Sequence, residues 1–166
     1  MWRSKGGNKA KGMRVIKKVL TVLLIVLVLI QFIQPARNKN SAGSSTDLTR
    51  TMDVPQNIQN ILTIACYDCH SNNTNYPWYA KVQPFGWLLA KHIRNGKAEI
   101  NFNEFGSYSL RRQISKLNGI AKSVENETMP LRSYRLLHKN ARPPGEDRKL
   151  LTDWAIRTKD SLSINH

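Results

Sequence analysis

Cys66-Tyr67-Asp68-Cys69-His70 contains the only two cysteines in a chain of 166 residues, together with one of its four histidines. Two thiols three positions apart on one turn can each add to a vinyl group of the same porphyrin. A histidine directly after the second cysteine is carried under the ring, where its imidazole reaches the iron. The pattern reads as a c-type haem attachment site, with Cys66 and Cys69 as thioether donors and His70 as the proximal ligand. Thiol redox proteins also use a C-x-x-C pair, but set it beside a βαβ pattern that this sequence lacks. Structural zinc needs two more ligands at finger-like spacing, and an adjacent Cys-His pair is poorly placed to close one tetrahedron.

Outward from this motif the periodicity is helical. Asp53 as a cap, Pro55 in the first turn, and Ile58, Ile61, Leu62 and Ala65 at helical spacing predict a helix that runs directly into Cys66. Residues 71–79 are rich in turn formers and then in aromatics. They read as a loop folded back over the porphyrin or as ordinary aromatic core. Phe85, Leu88, Leu89, His92 and Ile93 share one face of a short helix over 84–95, with Gly96 placed as its stop. After a loop at 101–107, Leu110, Ile114, Leu117, Ala121 and Val124 mark a third helix, with Arg111, Arg112, Lys116 and Lys122 on its outer side. Pro143-Pro144-Gly145 breaks the chain. A final helix follows, with Leu150, Leu151, Trp154 and Ala155 on one face and Glu146 and Asp147 in its first turn. No stretch alternates as a strand does, so the fold class is all-α.

The formal net charge of +15 resembles a nucleic-acid signal until it is divided along the chain. Residues 1–40 hold nine of the 26 Lys and Arg and no acid, which leaves 17 basic against 11 acidic residues, or +6, for the rest. That remainder has no dense basic run with interleaved aromatics, which excludes nucleic acid as the expected partner. A mildly basic face suits an acidic redox partner or anionic lipid.

Arg3, Lys5, Lys9, Lys11, Arg14, Lys17 and Lys18 precede an apolar run over 19–33 that only Thr21 and Gln31 interrupt. Fifteen residues rise only ~23 Å as a helix, short of a ~30 Å hydrocarbon core. If Lys17 and Lys18 snorkel, a helix beginning near Val15 reaches ~28 Å. No small-residue cleavage site closes the run, so it reads as an uncleaved signal anchor over 15–34, with a basic cytoplasmic tail at 1–14. Residues 35–53 are polar, with a Ser-Ala-Gly-Ser-Ser patch, and read as a flexible tether to a haem domain at 54–166.

The sixth iron ligand has several candidates. Met129, followed by the stiffening Pro130, offers a soft, neutral thioether that favours ferrous haem, and it reads equally as a gap-filling core residue. His92 and His138 are rivals, since a neutral imidazole also binds haem iron. His92 lies on an apolar helical face, and His138 ends a short segment over 133–138.

Residues 66–72, then Tyr76-Pro77-Trp78-Tyr79, Trp87, His92 with Gly96, Asn101-Phe102, and Met129-Pro130 with Tyr134 and His138 recur in order. Together they closely resemble the bacterial haem-binding domain family of small membrane-anchored c-type cytochromes. The resemblance covers roughly residues 54–154. It implies a cytochrome-c-like, all-helical domain with one covalent haem, exported across the inner membrane to the periplasmic side. It also implies thioethers at Cys66 and Cys69, proximal His70, distal Met129, and haem contacts from Tyr76, Trp78, Trp87 and His92. The expected activity is single-electron transfer between redox proteins. A haem peroxidase, with His92 as its acid-base residue, and a haem-based sensor or accessory subunit are the alternatives, and neither has a dedicated motif.

Overall fold

Helix-forming periodicity governs almost the whole chain in the computed structural model, which describes residues 6–40 and 43–164, with side chains from residue 11 onward. Arg3, Lys5, the Lys9 side chain, Ser41, Ala42 and His166 lie outside the described residues. The helices are α1 (Gly6–Ile30), α2 (Leu48–Thr51), α3 (Gln56–Ala65), α4 (Tyr67–His70), α5 (Phe85–Glu99), α6 (Leu110–Glu125), α7 (Arg132–Leu137) and α8 (Gly145–Ile164). Short 3-10 turns occur at Trp78–Lys81, Phe102–Ser107 and Lys139–Ala141. Among the described residues there is no strand, and one isolated antiparallel bridge joins Lys39 to Asn73.

The chain divides into two compact units. The first comprises Met1–Ala36 with Pro77–Ala90. Its centre is a glutamine network: the Gln83 amide N–H donates to Gln31 Oε1 (2.8 Å) and Gln83 Nε2 donates to Gln34 Oε1 (3.0 Å). Trp87 Nε1 donates to the Ile33 carbonyl at 2.8 Å. Buried Gln83 thus ties down the chain where α1 ends, while the last carbonyls of α1 accept from the N–H groups of Gln31, Phe32 and Ile33. Apolar α1 side chains such as Leu23, Leu24 and Leu29 are exposed. Among the described residues no helix is long and apolar enough to cross a membrane. The reason is specific: α1 stops at Ile30, and its charge-free part, residues 19–30, rises only ~18 Å. The single transmembrane helix expected over 15–34 is therefore unsupported as a span.

The second unit comprises Arg37–Tyr76 with Lys91–His166. Its core gathers Ile58, Ile61 and Leu62 of α3, Leu117, Ala121 and Val124 of α6, and Leu151, Trp154 and Ala155 of α8. In each set the spacing of three or four places the side chains on one face. Phe102 and Phe105, from the stretch read as a loop, are fully buried in the same core. There the 3-10 turn aims both rings inward while Asn101 caps it.

Four local expectations change. Pro55, not Asp53, precedes the first turn of α3, and the Asp53 carbonyl instead accepts from Trp154 Nε1 (3.1 Å). Helix α5 continues past Gly96 to Glu99. Phe85, Leu88 and Leu150, read as core-facing, are exposed. The stretch read as a flexible tether is bound down: Asn40 N–H donates to the Asn72 carbonyl and Thr74 N–H to the Asn38 carbonyl. Asp47 then caps α2, and Leu48 is fully buried.

Candidate cofactor site

The amphipathic face of α3 delivers Cys66 to the edge of the core, and the single turn α4 carries Cys69 and His70 after it. These three residues line a cavity of about 390 Å³ within the second unit. Met129, Pro130, Leu131 and Tyr134 also line it, as do Lys91, His92, Asn95, Gly96 and Glu99 of α5. A volume of this size, mostly apolar with a few convergent polar groups, is that of a small-molecule or cofactor site.

Glycine at 96 is a packing requirement. A Cβ there would stand 2.7 Å from the Cys69 carbonyl oxygen and 3.3 Å from the Cys69 Cβ, so α5 approaches the cysteine turn only because this position has no side chain. The helix runs through Gly96, whose carbonyl accepts from the Ile100 N–H at 2.9 Å.

His70 is held by its backbone surroundings. Its Nδ1 lies 3.1 Å from the Ile100 carbonyl. A proton assigned to Nδ1 donates there and leaves the lone pair on Nε2, the arrangement a metal-bound imidazole uses. Burial lowers the His70 pKa, opposed by the Ile100 and Gly96 carbonyls and by Glu99, a balance that favours the neutral ring. The Ile100 carbonyl is fixed in turn by Asn101, whose side-chain amide donates to Asn72 Oδ1 (2.8 Å) and Glu104 Oε1 (2.7 Å).

The thiols are not activated. Burial, reinforced by Cys69, pushes Cys66 up to about 12, and burial with Asp68 pushes Cys69 up to about 11. Redox-active C-x-x-C thiols are held low instead, so this environment does not suit disulfide exchange. Both cysteines are free. Among the described residues no group of three or more His, Cys, Asp or Glu is placed to hold a metal ion.

The Met129 loop is anchored on several sides. The Ser123 carbonyl accepts from the Thr128 and Met129 N–H groups at 3.0 and 3.2 Å. Glu127 adopts a left-handed conformation (φ 54°), and its carboxylate meets Arg148 at 2.9 Å and Arg135 at 3.8 Å. One bond joins this side to the cysteine turn: Tyr134 Oη donates to Asp68 Oδ2 at 2.7 Å. Asp68 also receives the Asn75 N–H on Oδ1, and its carbonyl accepts from Thr74 Oγ1, so the loop after His70 folds back on its own turn.

The cavity thus brings together Cys66, Cys69, His70, His92 and Met129. His92 is partly buried, and burial together with Lys91 lowers its pKa. His138 lies outside the lining and stacks on Tyr134, centroids 3.9 Å apart. Tyr76 also lies outside it, accepting from the Asn38 N–H (2.6 Å) under the Arg37 guanidinium. Trp78, 80% exposed, and Trp87 belong to the first unit. Sequence reading missed Asp68, the Ile100 carbonyl and the Asn101 network. A backbone carbonyl has no signature in a sequence, but an isolated glycine inside the apolar helical pattern at 96 was a usable signal.

The His70 imidazole and the Met129 thioether are borderline and soft donors that suit haem iron rather than a hard cation, and the paired thiols beside them on one apolar cavity suit attachment to a porphyrin edge. Comparison with curated proteins and with solved structures returns no match. The haem-binding domain profile matches residues 25–157, most of the chain and the whole cavity lining. The chain belongs to the haem-binding domain family.

Proposed function

We propose that this protein is a membrane-tethered monohaem c-type cytochrome that carries single electrons on the periplasmic side of the inner membrane. The observation that carries this reading is the convergence of Cys66, Cys69 and His70 with Met129 on one cavity. Cys66 and Cys69 would hold the haem by thioethers, and His70 Nε2 and Met129 Sδ would ligate its iron. The bound group supplies a one-electron Fe(II)/Fe(III) couple. The chain's own contribution is to orient His70 through Ile100, to exclude water with an apolar lining, and to present sulfur from an anchored loop. The N-terminal basic residues and exposed apolar face of α1 support a signal anchor with Lys17 and Lys18 snorkelling, and the net positive charge supports acidic redox partners.

The test is optical and electrochemical. The purified haem-loaded protein should show low-spin spectra in both oxidation states and a ferric sulfur-to-iron band, and a high-spin ferric spectrum would overturn the carrier reading. Met129→Ala should lower the potential and open a site to carbon monoxide. A second reading, a haem catalyst, rests on His92 in the cavity wall. It gains if His92→Ala alone alters distal ligation. Anchoring is checked by fractionation: the protein should stay with membranes through a high-salt wash, and a soluble form starting near residue 42 would contradict the anchor.

A further inference from the structure

Between residues 128 and 145 the chain carries four cations and no acid. Arg135 is turned inward toward Glu127. Arg132, Lys139 and Arg142 are exposed, and none is in an ion pair among the described residues. Among them Leu136 is 80% exposed and Leu137 63%. Neither leucine lines the cavity, so their exposure is separate from its wall. The same segment nonetheless reaches the cavity, because Arg132 directly follows lining Leu131 and Arg142 directly precedes lining Pro143.

We infer that α7 and the turn after it form a docking surface for an acidic one-electron redox protein, on a segment whose two ends adjoin residues that line the cofactor cavity. The inference rests on the carrier reading. An apolar centre within a cationic rim supplies both parts of a transient interface, adhesion from the leucines and steering from the charges. Weak redox encounters need little area, whereas a six-residue helix with two leucines offers a bilayer a small apolar face. In the step itself one electron leaves this protein and reduces the partner by one, with no bond formed or broken.

The experiment uses the full-length, haem-loaded, reduced protein in neutral detergent. It is mixed with hexacyanoferrate(III), an anionic one-electron oxidant, and with tris(phenanthroline)cobalt(III), a cationic one. Raising salt should slow the first reaction and speed the second. Combining Arg132→Glu, Lys139→Glu and Arg142→Glu should slow the anionic oxidant roughly tenfold or more at low salt, while Arg50→Glu, Arg111→Glu and Arg157→Glu together stay within about twofold. The second set makes the same change in net charge at exposed positions elsewhere. Glutamine at 132, 139 and 142 should give a smaller effect in the same direction and guards against unfolding by charge reversal. Equal effects of the two glutamate sets, or rates indifferent to salt, would overturn the surface and leave the carrier reading intact. Failure to reduce either oxidant would overturn both. If anionic phosphatidylglycerol nanodiscs slow the hexacyanoferrate reaction of the wild type, relative to neutral discs, but not that of the α7 variant, a bilayer occupies the surface and the inference fails.

Discussion

Tyr134 and Asp68 show how much one side-chain pair does here. Asp68 sits between the two cysteines, where its identity carries no part of the attachment chemistry, yet its carboxylate is the acceptor that ties the cysteine turn to the Met129 side of the cavity at 2.7 Å. Removing the hydroxyl leaves a carboxylate with one fewer donor, a loss of about 1.5–3 kcal/mol by the usual range for hydrogen bonds to charged groups. Tyr134→Phe should therefore lower the denaturation midpoint of the haem-loaded protein. Its carbon monoxide affinity should also rise as the Met129 loop loosens, a change that simple destabilisation of the distant core would not produce. The candidate roles of Cys66, Cys69 and His70 were read from identity and spacing alone, because the attachment pattern specifies both. Tyr134 was not, since any of five tyrosines might have served and only the fold selects the one that faces Asp68.

At the scale of elements, the second unit depends on α6 and α8 presenting Leu117, Ala121, Val124 and Leu151, Trp154, Ala155 to the same core. Leu117 has no exposed surface, so Leu117→Ala should cost about 2–5 kcal/mol in chemical denaturation. Arg111→Ala on the outer face of α6 should stay within about 0.5 kcal/mol of the wild type. These helices were readable because their apolar period is set by burial. The stretch over 35–53 was misread for the converse reason: its ties are made by polar groups, such as Asn38 Nδ2 to the Ser71 carbonyl (2.8 Å) and Lys97 Nζ to Asn38 Oδ1 (2.9 Å). A polar composition looks the same whether its partners are water or protein. The burial of Phe102 and Phe105 was hidden similarly, because a six-residue 3-10 turn is too short to display a period.

For the whole molecule, the closeness of Gly96 to the Cys69 carbonyl has a consequence in time rather than in space. Once α5 has closed against the cysteine turn, no room for a side chain remains between them, and both thiols sit in surroundings that disfavour the thiolate. On the covalent-haem reading, a chain that folded before receiving its cofactor would present two thiols on the cavity wall, held in their less reactive protonated form. On that reading attachment is expected to run faster before this packing step than after it, which puts cofactor addition ahead of the final closure of α5 on the cysteine turn.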